Sequence, residues 1–201
     1  MKKLVLVLTL AAFALTGAAF AQPDPAWQDN MGIYTDEAGT VNCATLGENG
    51  ALSVYLVMTK LTSSEVLGWE VKITYENMMQ IAFTPRGDYV DAGTRAGEHI
   101  VGLANPLPVV GGACVVADIQ VFLQQWVHDP AQPSYIVLDP VYFSLLGNGL
   151  PAYLDGAGEG QSAYPSTIDG HEGGAVFFLN NGCDPVAVEE STWGSVKGLF
   201  R

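Results

Sequence analysis

Apolar and polar side chains alternate in short runs along most of the chain, and this period of two is its dominant signal. It is clearest at Trp69-Glu70-Val71-Lys72-Ile73-Thr74-Tyr75-Glu76, where Trp69, Val71, Ile73 and Tyr75 share one face and Glu70, Lys72, Thr74 and Glu76 the other. A pleated strand sends successive side chains to opposite faces, so the run predicts a half-buried antiparallel strand with Trp69 and Tyr75 in the core. Similar runs predict strands over 52–58, 79–83, 99–103, 115–123, 135–138 and 175–179. In the 115–123 run, Val115, Ala117, Ile119, Val121 and Leu123 are expected on one face.

Turn formers separate these runs: Gly47-Glu48-Asn49-Gly50, Pro85-Arg86-Gly87-Asp88, Asn105-Pro106-Leu107-Pro108, Gly111-Gly112 and Asp129-Pro130. Short strands at this spacing, with no long amphipathic helix between them, predict an all-β, two-sheet antiparallel sandwich. Two stretches break the rhythm. Residues 147–174 are rich in glycine and hold Asp155, Glu159, Asp169 and Glu172, which predicts a long loop. Beyond Asp184-Pro185 a short acidic linker leads to Ser191-Thr192-Trp193-Gly194-Ser195-Val196-Lys197-Gly198-Leu199-Phe200-Arg201. There Ser191 is expected to cap a short helix with Trp193, Val196 and Phe200 on one side. A helix so short, with two glycines, is marginal alone and must dock, on its own domain in preference to a neighbour.

The N-terminus changes the picture of where the chain works. Met1-Lys2-Lys3, an apolar run from Leu4 to Leu15 and Ala19-Phe20-Ala21 have the order of a cleavable export signal, cut after Ala21. The expected division is therefore a signal peptide over 1–21, a β-sandwich domain over 22–184 and a linker with the short helix over 185–201. Cleavage leaves 180 residues, enough for one core, and moves the formal charge from -13 to -15. So acidic a chain is repelled by nucleic acid and by anionic lipid, and no later apolar run is long enough to span a bilayer. The expected location is secreted, periplasmic or at the cell surface.

Such a compartment permits disulfides, and the chain has three cysteines. Cys43 and Cys183, both in polar, turn-like contexts near opposite ends, are the favoured pair, whose long loop is worth roughly 4–5 kcal/mol in the chain-entropy model. Cys114, in an apolar run, is expected to be a small core residue.

Candidate chemistry is sparse. His99, His128 and His171 stand far apart without a zinc-ligand motif, and no Gly-x-Ser-x-Gly elbow occurs. Asp155, Glu159, Asp169 and Glu172 offer hard oxygen ligands for calcium, although their spacing fits no EF-hand and a solvated flexible loop is the favoured account of them. The same carboxylates would serve a glycosidase only at a separation that nothing in the sequence fixes. Trp126, Tyr153 and Tyr164, in or beside loops, are candidates for stacking on sugars, or for covering the core edge.

The segment from Gly68 to Ile81, followed by Pro85-Arg86-Gly87-Asp88-Tyr89-Val90, resembles cohesin-like domains, in which a strand ending in a Tyr-acidic pair leads to a short apolar strand and a Gly-Asp turn. The run 99–123, two apolar stretches around Pro108-Val109-Val110-Gly111-Gly112, is similar too, so the resemblance covers roughly 51–180. It implies a nine-stranded jelly roll whose relatives, like some carbohydrate-binding modules, bind partners without catalysis, the partners being dockerin modules or components of surface assemblies. The acidic Gly-rich segment and the Trp-containing tail depart from that pattern; the ending itself looks like that of small exported bacterial proteins. The reading is thus a non-catalytic module, with no cofactor unless calcium binds, that engages a protein partner or self-assembles. A carbohydrate-binding module is the alternative, and a hydrolase using Asp155 or Glu159 comes third.

Overall fold

The computed structural model describes residues 28–124, 129, 132–167 and 174–180. The alternating run that stood out in the sequence builds β4 (Glu65–Glu76), the strand around which one sheet is organised. Trp69, Val71 and Ile73 are buried on its inner face, as their apolar character requires. The other strands, in chain order, are β1 (Asn30–Tyr34), β2 (Cys43–Ala44), β3 (Ala51–Thr59), β5 (Met79–Pro85), β6 (Tyr89–Asp91), β7 (Glu98–Pro108), β8 (Cys114–Phe122), β9 (Ser134–Asp139), β10 (Ala152–Asp155), β11 (Gly160–Ser162), β12 (Tyr164–Pro165) and β13 (Ala175–Leu179).

They form two sheets. The first runs β12-β1-β3-β8-β5, and the second β11-β10-β4-β9-β13-β2 with β7 and then β6 added beside β4. Leu56, Met58, Ile119 and Val121 of the first sheet meet Trp69, Val71, Ile136 and Phe177 of the second in one core. The chain crosses between sheets after β4 at Asn77, whose positive φ of 55° suits an asparagine better than a branched residue. Its side chain then ties the turn down, donating to the carbonyls of Asp129 and Gln132 and accepting the Asp129 N–H.

The two-sheet sandwich expected from the sequence is the fold observed, with four differences. The sheets are mixed rather than wholly antiparallel, because β1 pairs β12 and β13 pairs β2 in parallel. The segment 147–174 is not one long loop; its first part supplies β10, β11 and β12, paired to existing strand edges. Asn105-Pro106-Leu107-Pro108 is no turn but the far end of β7, reached after a wide irregularity where Val66 pairs Leu107 and Gly68 pairs Gly102. Val115 does not share the inner face with Ala117, because Val116 is a bulge: Leu56 pairs Ala117 while Val57 pairs Val115. The bulge reverses the alternation and points Cys114 inward, where it is 4 % exposed. The expected C-terminal helix lies outside the described residues. Among the described residues no helix is long and apolar enough to cross a membrane.

Burial pushes the Cys114 thiol up to about 11. It should therefore stay unmodified by a thiol reagent in the native protein and react once the chain is unfolded. The raised value also gives a sign: the folded state holds its proton where the unfolded thiol has lost it. Stability is full below the ordinary thiol range near 8.5 and falls as pH rises toward 11, measurable by denaturant titration across that window. A native thiol that is modified at neutral pH as fast as a free peptide would contradict this burial.

Candidate docking face

One residue on the outer face of β4 behaves contrary to its chemistry. Glu70 points away from the core yet is only 7 % exposed. Its cover comes from the way β4 is paired. Lys72 pairs Glu98 of β7 and also Asp139 of β9, and Glu70 pairs Ile100 of β7 and also Ala152 of β10. A strand has two edges, so β7 holds one and β9 and β10 lie end to end along the other. The chain between them, 140–151, leaves the sheet and folds back over its outer face.

Two buried carboxylates hold this loop. Glu70 Oε1 accepts the Ser144 hydroxyl and the Leu145 N–H, each at 2.7 Å, and Glu98 Oε1 accepts the Tyr142 N–H at 2.8 Å. Charged acceptors make the stronger hydrogen bonds, and they satisfy amides that a loop lying on a sheet would otherwise leave unpaired. Farther along, the Asn148 side chain donates to Ser162 on β11. Val141 and Pro151 are buried at the two ends.

What the loop presents is apolar. Tyr142 is 65 % exposed, Phe143 78 % and Leu145 57 %. The two rings meet edge to face with centroids 4.6 Å apart, and the Arg95 guanidinium lies 3.6 Å over the Tyr142 ring. Arg95 is itself placed by Asp91, whose carboxylate accepts the Gly93 and Ile100 N–H groups and meets His99 Nδ1 across the turn that carries Arg95. Burial pushes the Asp91 carboxyl up, but the bonds from His99, Gly93 and Ile100 outweigh it and hold the group below its usual range.

Beside the loop the sheet is almost bare. Val90, Gly102, Gly68, Leu154 and Gly160 are paired in one row across five strands. Gly68 must be glycine, since a Cβ there would sit 2.7 Å from the Val101 carbonyl oxygen, whereas Gly102 has open space above it. The result is a trough of about 720 Å³ walled by Tyr89, Val90, Leu103 and Leu154, with Asp88 at its rim. Val90 is 72 % exposed. A smaller hollow of about 150 Å³ joins it at Leu154 and reaches Leu145 and Ile100. The outer face of the first sheet is ionic by contrast: Arg86 donates to Asp118 and to Glu37 and lies over the Tyr55 ring.

The residues singled out in the sequence fall elsewhere. Tyr153 is no exposed stacking platform; it lies on the inner face of β10, 1 % exposed, its hydroxyl donating to Asp29. Tyr164 is half-buried in β12 against β1. Asp155 and Glu159 are brought together in the turn between β10 and β11. There Asp155 accepts the N–H groups of Ala157 and Glu159 and the Gln161 amide, the Glu159 bond chief among those that lower its carboxyl. Among the described residues no cluster of three His, Cys, Asp or Glu side chains forms that would hold a metal. Cys43 is disulfide-bonded and Cys114 is free and buried. Trp126, Asp169, Glu172, Cys183, Trp193, Val196 and Phe200 lie outside the described residues. Sequence reasoning missed the loop itself; its one signal was Tyr142-Phe143-Ser144-Leu145-Leu146, an apolar run without alternation bounded by Pro140 and Gly147.

No family model and no curated protein matches the chain. Its fold is similar to that of cohesin modules. The sixth cohesin of Acetivibrio cellulolyticus scaffoldin B, solved in complex with a Cel5 dockerin mutant, has a TM-score of 0.48 at 9 % identity, covering 69 % of this chain and 94 % of that one. The cohesin module of a Clostridium perfringens family 33 glycoside hydrolase has a TM-score of 0.41 at 14 % identity, over 67 % and 89 % of the two chains. A non-cellulosomal cohesin from Archaeoglobus fulgidus has 0.42 at 9 %, over 69 % and 86 %.

Proposed function

We propose that this chain is an exported, non-catalytic β-sandwich module that binds a folded protein partner through the outer face of its second sheet. The observation that carries the reading is the loop 140–151, where two buried glutamates fix a backbone whose aromatic side chains face solvent. Ordering such a loop in advance lowers the entropic cost of association, and exposed aromatics beside an apolar trough are what a protein interface uses as anchors. The export signal over 1–21 and the Cys43 disulfide fit work outside the cytoplasm. Cys183 is the expected partner of Cys43, to be checked by mass mapping of non-reduced peptides.

The catalytic and sugar-binding readings have less to stand on. The Asp155 carboxylate is taken up in capping its own turn, and Tyr153 is enclosed.

The test is capture of exported proteins, dockerin modules among them, on immobilised 22–201, followed by titration of what is retained. Replacing Phe143 by serine is expected to weaken that complex about thirtyfold, the loss of one interface anchor worth ~2 kcal/mol. The folding stability should stay within about 0.5 kcal/mol of the parent's, since the ring is exposed. A partner that binds the Phe143→Ser and Tyr142→Ser variants undiminished would refute this face as its site.

A further inference from the structure

The chain contains three Asn-Gly pairs, at 49–50, 148–149 and 181–182, the last outside the described residues. An asparagine before a glycine is open to attack on itself, because no side chain shields the glycine nitrogen from the amide carbon beside it. We infer that Asn148, in the loop 140–151, is a self-modifying site that converts through a cyclic imide to an aspartyl or isoaspartyl residue. The inference goes beyond the partner-binding reading and does not need it.

The reaction is one ring closure and one hydrolysis. The Gly149 nitrogen attacks Asn148 Cγ and forms a bond to it while the Cγ–Nδ2 bond breaks. Nδ2 leaves as ammonia, with the proton that the Gly149 nitrogen gives up. Water then opens the imide at either of its carbonyls. No oxidant and no metal enters the balance.

Three features of this loop serve the closure. The nucleophile is free: Gly149 is exposed, and among the described residues its N–H meets no acceptor. Its positive φ of 78° faces open space, so nothing stands in the way of the ring. The oxygen that gains charge is already met, since Asn148 Oδ1 accepts the Leu150 N–H at 3.2 Å, a donor in place before the tetrahedral centre forms. The leaving nitrogen is met as well. Asn148 Nδ2 lies 2.7 Å from Ser162 Oγ, a hydroxyl within reach to relay a proton to the departing ammonia. β11 holds Ser162 opposite Ala152, so the sheet and not the loop supplies this partner.

Asn49 shows the opposite arrangement. The Gly50 N–H donates to the Gly47 carbonyl at 3.0 Å, and the Gly50 carbonyl accepts the Leu123 N–H at 3.1 Å. A Cβ at Gly50 would sit 2.7 Å from Leu46 Cδ1. Ring closure there must break the Gly50 bond and shift a packed turn.

Conversion replaces a neutral amide by a carboxylate at the point where the loop is tied to β11, and the isoaspartyl product adds an atom to the main chain. The loop that carries Tyr142 and Phe143 therefore changes with the age of the protein.

The experiment incubates folded 22–201 in warm, mildly alkaline buffer and follows amide-to-acid conversion at each asparagine by peptide mass mapping. Asn148 is expected to react about tenfold faster than Asn49, the effect of taking the Gly50 N–H out of its hydrogen bond. In denaturant with reductant the two sites should react alike. Ser162→Ala is expected to slow Asn148 and leave Asn49 unchanged. Equal rates at the two sites in the folded chain would overturn the inference. So would a Ser162→Ala variant in which Asn148 reacts faster, because the hydroxyl would then be holding the amide back. Mapping needs no partner, so failure here leaves the partner-binding reading untouched, and a failed capture leaves the modification untouched.

Discussion

Truncating Phe177 to alanine is expected to remove about 3–5 kcal/mol of folding stability. Phe177 is completely buried, and β13 places it opposite Ile136, which in turn pairs Tyr75 of β4. Its ring therefore fills the core at the strand that ties the parallel pair β13·β2 to the rest of the second sheet. The loss combines apolar surface no longer buried with a cavity that β-strands paired on both sides close poorly. Chemical denaturation should show a lower midpoint with an unchanged slope, and a loss under about 1 kcal/mol would mean that the site collapses around the smaller side chain.

Reduction of the Cys43 disulfide is the second large effect, expected to cost about 2–5 kcal/mol. β2 has two residues, paired at the edge of β13 through Phe178 and Leu179, and the segment that follows is tied by single bonds from the Leu46 N–H to Asn180 and from the Asn49 N–H to the Leu123 carbonyl. Cross-linking restricts the unfolded chain more than it adds contacts to the folded one, so the loss should appear as a shift of midpoint in reductant and in Cys43→Ser alike. Equal stability with and without reductant would show that β2 is held by its hydrogen bonds alone.

The strands that alternation makes legible are those with one face in the core. Residues 69–76 declare β4 because apolar and polar side chains alternate there residue by residue, and 175–179 declares β13 because it is apolar throughout. β6 escapes such a reading, since Tyr89, Val90 and Asp91 are all exposed and owe their conformation to the edge of β7. β10 and β12 escape it for a related reason: amid glycines, their hydrogen bonds go to strands far away in sequence, β4 and β1. The candidate face is harder still to foresee. Glu70 and Glu98 occupy positions that a period of two assigns to solvent, and only the return of 140–151 over the sheet converts them into buried acceptors. Tyr153 misleads in the opposite direction, because its neighbours Gly149 and Asp155 suggest a loop while pairing with Trp69 carries it inside.

The end-to-end placement of β9 and β10 has an evolutionary and engineering consequence. Both strands are held in register by β4, and the residues that join Asp139 to Ala152 form no strand of their own. The joining residues must bury Val141 and Pro151 and supply two amides and the Ser144 hydroxyl to the two glutamates; their outward side chains are free to diverge. The exposed apolar surface of the second sheet is thereby carried on a cassette that can be exchanged without re-solving the fold. A library randomised at Tyr142, Phe143, Leu145 and Leu146 would sample new specificities on an unaltered scaffold.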